Sequence, residues 1–250
     1  MAFDMVPPPS FDAVLAGLGR AATEISVVAD IPPMRLESLK EAALGYGVRS
    51  GLARRSYEIN KILDDNQKLL DGVFNFGALL LDRSVLPPVL SEAQNSLKQP
   101  DGDTIRIADA AYRIDRQAVF VTAAPNWRDY LVRDYRYKVD APAGLLLPRN
   151  DNEKKVWQQY AWQGWSVGVR QANAIFEQSL MRLERDFKGM ILYRSLLAKG
   201  MIGKPYVAES NLGVTGDGTA MNVNDRIFRI TSKPMLETDA TVWKPVVAPK

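Results

Sequence analysis

From Asn150 to about Lys199 the chain repeats at the period of an α-helix without a single proline, and a helix of that length needs a partner of comparable extent to cover its apolar stripe. Ala161, Gly164, Gly168 and Ala172 fall on one side. Residues four apart stack along one helix face, so this stripe of small side chains lets another backbone come close. Ile175, Ser179, Leu183, Phe187, Met190, Arg194 and Leu197 continue a mostly apolar face. Asn150 and Glu153 have the spacing of an N-cap and its N3 partner. Gly189, following Asp186-Phe187-Lys188, is the expected break or kink, and Gly200 with Pro205 supplies the stop.

A second helical region is expected from residue 34 to about 81. Leu36, Leu39, Ala43, Tyr46 and Ser50 form one stripe, and Leu52, Ile59, Leu63 and Leu70 another. The change of face around Gly45, Gly47 and Gly51 predicts a bend, or packing on two neighbours in turn. Asp71-Gly72 is a break signal before the apolar run Val73 to Leu81. Ahead of this region, prolines 7–9 and 32–33 bracket a lead-in segment with one short helix. There Ser10 is the cap and Phe11, Val14, Leu15 and Leu18 are its apolar positions.

Strand signals are shorter. Leu86-Pro-Pro-Val-Leu90 ends the first helical region, and Asp101-Gly102 is a turn. Ile105, Ile107, Tyr112 and Ile114 suggest a hairpin, with Ala118 to Thr122 as a third strand. Pro125 ends that strand, and Asn126 caps a short helix carrying Trp127, Tyr130 and Leu131. Residues 139–149 read as a connector. Beyond Tyr206 the period becomes two on both sides of Gly216-Asp-Gly218, the pattern of a β-hairpin. The fold class is therefore α+β: two long helical regions packed together, with short antiparallel strands and hairpins. The expected division is a lead-in at 1–33, one domain at 34–232 and an extended tail at 233–250.

The sequence has no histidine and no cysteine. That removes disulfides, thiolate ligands, the commonest general base and every Ser-His-Asp arrangement. The net charge of +3 is spread along the chain, with only three arginines in the densest basic stretch, 49–55. A nucleic-acid binder concentrates its cations. Glu177, Glu184 and Asp186 share the second long helix with Arg182 and Arg185, which points to a solvated, salt-bridged face rather than to an acid–base pair. Leu212-Gly-Val-Thr-Gly-Asp-Gly218 has the glycine content of a phosphate loop. It joins two strand-like segments, however, and no lysine follows until Lys233, so a hairpin turn is favoured over a ligand loop. No cofactor, metal site or catalytic residue is expected.

Aromatic and arginine residues are enriched at interfaces, which makes Trp162 and Trp165 on the second long helix candidate partner contacts, with Trp127, Arg128 and Tyr130 as a second patch. No segment has the ~18 consecutive apolar residues that span a bilayer. The N-terminal stretch lacks the basic and apolar regions of a signal peptide, which fits either a cytoplasmic protein or a sequence that begins after a removed signal.

Several stretches in order resemble one family. They are Leu86-Pro-Pro-Val-Leu90, Ile105-Arg-Ile107 with Tyr112, and Trp127-Arg128 with Tyr130-Leu131. Next come Gly164-Trp165, Gly168, Gln171-Ala-Asn173, Arg182, and Asp186-Phe187 with Gly189 through Arg194. Leu212 to Gly218, Asp225-Arg226 and Arg229-Ile-Thr231 complete the set. The chain resembles the DotC/TraI family of type IVB secretion and I-type conjugation systems from about Glu41 to Thr231 and again at the tail. The resemblance implies a lipoprotein on the periplasmic face of the outer membrane. It also implies assembly with a DotD-like lipoprotein and a DotH-like ring subunit in the core complex, and neither activity nor cofactor. Family precursors carry a signal ending in a lipidated cysteine, so the expected anchor precedes this sequence. The stretch from Thr231 to Trp243 is shorter than the family pattern. Two rival roles remain at this level: an envelope hydrolase acting on peptidoglycan through carboxylates, and a subunit that contacts DNA.

Overall fold

The computed structural model describes residues 7–16, 31–133 and 139–244. Its helices are α1 (Phe11–Ala16), α2 (Pro33–Asp65), α3 (Gln67–Val73), α4 (Trp127–Leu131) and α5 (Asp151–Ala198). The strands are β1 (Val85–Leu86), β2 (Val89–Asp101), β3 (Thr104–Arg116), β4 (Val119–Phe120), β5 (Tyr206–Gly216) and β6 (Met221–Ser232). They form three separate antiparallel pairs, β1 with β4, β2 with β3 and β5 with β6. The class is α+β, as the periodicities require. Contacts divide the chain into two compact units, Met1–Val73 with Trp127–Met181, and Phe74–Asn126 with Arg182–Lys250.

The first unit is organised by α2 against α5. Pro33 opens α2 at a position where its missing N–H costs nothing. At the other end Asn66 closes α2, its side-chain amide donating to the carbonyl of Ile62 at 2.8 Å. Arg35 reaches Glu153 and Arg55 reaches Asn173, and both pairs are separated by 118 residues. A constant separation means the two helices run parallel. Between those pairs, Leu39, Ala43, Trp157 and Ala161 bury together. Four glycines then bring the backbones into contact. An added Cβ would lie 2.3 Å from the Ala161 carbonyl oxygen at Gly47, 2.5 Å from that of Trp165 at Gly51, and 2.2 Å from those of Leu44 and Val48 at Gly164 and Gly168. Gly47 and Gly51 sit four apart on one helix, Gly164 and Gly168 four apart on the other. Each glycine admits the ridge of its neighbour, and any larger residue would hold the helices apart.

The top of this seam is pinned electrostatically. Arg35 donates to both oxygens of Glu153, at 3.1 and 3.0 Å, and to the carbonyls of Leu145 and Leu147. Asn150 caps α5 by accepting the Glu153 N–H at 2.8 Å, while the Glu153 carboxylate accepts the Arg149 N–H. The Arg35 guanidinium holds the Glu153 carboxyl below the ordinary glutamate range, against a smaller opposing effect of burial. α1 rests on the same unit, with Phe11 tilted against Trp165 at 5.3 Å. Leu18, expected on that short helix, lies outside the described residues.

The second unit packs the end of α5 against the segment Val85 to Leu90, all six residues of which are buried. Phe74 and Phe76 meet Phe187 edge-on. Leu90, Tyr193, Leu196 and Ile202 form a buried cluster that Tyr112, Ile114 and Leu236 cover. Gly189 does not break α5, which runs unbroken through it. Its small size serves packing instead: an added Cβ would sit 2.6 Å from the Leu90 carbonyl oxygen. α5 stops at Gly200, with φ 71°. Beyond β6 the chain meets the segment after α5 at the isolated Ile202–Leu236 bridge.

Three further expectations shift. The first helical region breaks at Asn66, ahead of Asp71-Gly72, and beyond Val73 only a 3-10 turn at Gly77–Leu79 remains helical. Ile105 to Ile114 is not a hairpin in itself but a single strand paired back to β2, a strand whose sequence carries no apolar alternation. Asp186 is not solvated: it is 1% exposed and held by Arg116 at 3.0 Å and Arg185 at 2.9 Å.

Candidate assembly surface

Among the described residues, two long ribbons in the second unit have no covering layer. β2 and β3 have 13 residues each, roughly 43 Å of strand. Only their base is buried, at Val89 and Leu90. Leu97 faces Ile107 across the ribbon, and Ile105 follows two residues along on the same face. On the opposite face Lys98 sits directly across from Arg106. In the second ribbon Val214 faces Val223, and Gly216 faces Met221. Leu97, Ile107, Val214 and Met221 are 63–70% exposed.

The bases are anchored. In β5–β6, Glu209 accepts from Arg83 at 3.0 Å and Arg226 at 3.4 Å, and the Arg83 guanidinium lies 5.0 Å from the Phe228 ring centre. The distal turn is built for tightness. Asp217 accepts the N–H groups of Thr219 and Ala220 and the Thr219 hydroxyl, which together, the hydroxyl first, hold its carboxyl below the ordinary aspartate range. Gly216 has φ 143°, and an added Cβ there would lie 2.1 Å from the Ala220 carbonyl oxygen. The glycine-rich stretch is thus a hairpin turn.

Such ribbons are physically incomplete. A two-stranded sheet is marginal in water without a layer behind it. The exposed apolar positions gain little from folding, the Lys98–Arg106 pair is repulsive, and among the described strands neither ribbon gains a third, so its outer edges remain a template for further strands. These features suit an element completed by another polypeptide.

The residues singled out from sequence are distributed differently. Trp127 is 1% exposed, its indole N–H donating to Asp71 at 2.7 Å. Arg128 stacks 4.2 Å over that ring and pairs with Asp71 at 2.7 Å. Arg128 first and Trp127 second hold the Asp71 carboxyl below the ordinary range. Tyr130 is half-buried on the same helix. Trp165 is half-buried against Phe11, while Trp162 is 58% exposed. The first three therefore cluster on α4, and of the two α5 tryptophans only Trp162 presents most of its ring to solvent.

Among the described residues no group of three or more acidic side chains converges as a metal site would, and no helix is long and apolar enough to cross a membrane. The sequence model of the TraI family, described as type IV secretory system, conjugal DNA-protein transfer, matches residues 33–245. The chain belongs to this family. No curated protein matches it. In this TraI-family chain some of the stretches that carried the resemblance fall at structural joints and others, Ile105 to Ile107 and Leu212 to Gly218, on the exposed ribbons. Leu86 to Leu90 is buried core, Gly164 and Gly168 form the helix seam, and Asn173 accepts from Arg55 at 2.8 Å. The hairpin turn of the second ribbon was legible from sequence, whereas β2 was not, because Ser91 to Lys98 reads as polar; the usable signal was Ile105 and Ile107 mirrored by Leu97 across Asp101-Gly102.

Proposed function

We propose that this TraI-family protein is a non-catalytic structural subunit of the outer-membrane core complex of a type IV secretion or conjugation apparatus. In this reading it assembles with a DotD-like lipoprotein and a DotH-like ring subunit on the periplasmic side, held by a lipid anchor. The observation that carries the reading is the pair of ribbons whose apolar tips and strand edges have no cover among the described residues. A free ribbon would be a liability, and a ribbon seated in a neighbour is an interlocking part. The carboxylates of α5 support a non-catalytic role, since Asp186 and Glu153 are committed to arginines and Glu184 to Lys188.

The test is reconstitution of the complex with Ile107→Asp and Val223→Asp chains. The reading expects normal folding with loss of co-purification with the DotD- and DotH-like subunits. Full incorporation of both variants would overturn it.

A further inference from the structure

The second unit holds a cavity of about 410 Å³ at the turn that precedes β1. Three cationic side chains line it, Arg83, Arg194 and Lys204, against the single carboxylate of Asp82. The turn is unusual: Arg83 and Ser84 have successive φ values of 60° and 57°, a left-handed conformation that residues with a Cβ avoid. The turn is held closed by the Leu81 N–H, which donates to the Val85 carbonyl at 2.8 Å, and this puts Arg83 on the cavity wall. Arg83 is met by Glu209. Arg194 donates only to the neutral carbonyl of Leu80, at 3.2 Å, and among the described residues neither Arg194 nor Lys204 has a carboxylate within ion-pair distance. The cavity therefore carries positive charge that the described residues of the unit do not neutralise.

Its size and walls narrow the ligand. A bare oxyanion would fill a small part of this volume, and Leu81, Val85 and Val207 make the remaining wall apolar. β5 begins beside the lining residue Pro205 and, among the described strands, has β6 on one side only; on the cavity wall its Val207 carbonyl accepts from the Arg83 guanidinium at 3.4 Å. We propose that this cavity is a docking site for an extended acidic segment of a partner polypeptide. The segment adds alongside the edge of β5 away from β6 and seats a carboxylate between Arg194 and Lys204, with an adjacent apolar side chain against Val85 and Val207. The proposal rests on the assembly role only for the source of the segment. Peptide binding is measured on this chain alone, so it fails or succeeds separately from core-complex assembly.

The test uses the full chain and a labelled, end-blocked peptide of alternating Val and Glu, followed by fluorescence anisotropy, with a Val-Gln peptide, inorganic phosphate and phosphatidylglycerol vesicles as comparisons. The expected result is saturable binding of the Glu peptide that weakens with salt. Binding falls roughly tenfold or more with the Gln peptide, and likewise in Arg194→Gln and in Lys204→Gln, as loss of a charge-assisted hydrogen bond requires. Both side chains are exposed, so the melting temperatures stay at the parent value. Equal binding of Glu and Gln peptides, or full binding by both variants, overturns the proposal. So does variant-sensitive binding of phosphate or vesicles without binding of the peptide.

Discussion

Replacing Gly45 and Gly47 by alanine, one at a time, should move stability in opposite directions although the two lie on the same helix two residues apart. Helix propensity alone favours alanine by about 1 kcal/mol at each. At Gly45 nothing opposes that gain, because the nearest atom to an added Cβ is the flexible end of Arg49 at 3.5 Å. At Gly47 the Cβ would lie 2.3 Å from the Ala161 carbonyl oxygen and 2.9 Å from the Trp165 backbone nitrogen. Relief needs roughly 1 Å of separation between α2 and α5, since carbon–oxygen contacts settle near 3.3 Å. The atoms met are backbone and cannot rotate away. That separation loosens the adjacent cluster of Leu39, Ala43, Trp157 and Ala161. Overpacking of this kind costs about 3 kcal/mol, so the net loss at Gly47 is about 2 kcal/mol. Gly164→Ala, whose Cβ meets the Leu44 carbonyl at 2.2 Å, should lose as much. The pair Gly47→Ala with Gly164→Ala should lose less than the sum, because one separation relieves both clashes. Urea titration with a probe in the first unit, such as Trp157 fluorescence, reads all four proteins. If Gly47→Ala and Gly164→Ala matched Gly45→Ala in sign, the parallel glycine seam would be refuted.

Further measurements address the charged and aromatic joints. Glu153→Gln leaves the half-buried Arg35 with only the Leu145 and Leu147 carbonyls and should cost about 2 kcal/mol, the loss of charge-assisted hydrogen bonds. Because the folded-state pKa of Glu153 is depressed, its contribution is complete above the ordinary glutamate pKa and is lost as pH falls through the folded value; acid titration of the variant should show a shallower loss over that range. Burial pushes the Tyr193 hydroxyl up to about 12, so its contribution is complete below pH 10 and is lost between 10 and 12; Tyr193→Phe should flatten that alkaline limb in a thermal-melt series. Asp186→Asn removes the buried anion while Arg116 and Arg185, 45% and 57% exposed, stay solvated, so it should lower the urea midpoint by the equivalent of about 1.5 kcal/mol, the loss of charge-assisted hydrogen bonds alone. Ile107→Asp should change the stability of the isolated chain by no more than about 0.5 kcal/mol, because the side chain is already exposed.

The long helices were legible because their information is local: a 3.6-residue period, the Asn150 cap and the terminal Gly200 all lie within the segment they specify. The small-residue stripe on α5 was legible too, but its partner was not, since nothing local says that Gly47 and Gly51 meet Gly164 and Gly168. Gly189 was misread for the same reason. A glycine that admits a distant strand and a glycine that ends a helix look alike in sequence. β2 escaped because strand patterns report burial of one face, and Ser91 to Lys98 buries neither. Trp127 shows the converse, for its residue type suited an interface while its indole N–H found Asp71 inside the unit. A surface meant for another molecule leaves few marks in the sequence when its covering face belongs to that molecule.

The parallel run of α2 and α5 has a kinetic consequence. Antiparallel helices can zip from a short turn, whereas these two meet only after 118 intervening residues have been made and looped back. Closing a loop of that size costs about 4 kcal/mol of chain entropy before the first seam contact is gained. α2 therefore waits, with Leu39 and Ala43 uncovered, until residues near Trp157 and Ala161 arrive, and a chain captured in an extended state keeps that helix available throughout. The topology thus predicts that closure of this seam, rather than formation of either helix, limits the folding of the first unit.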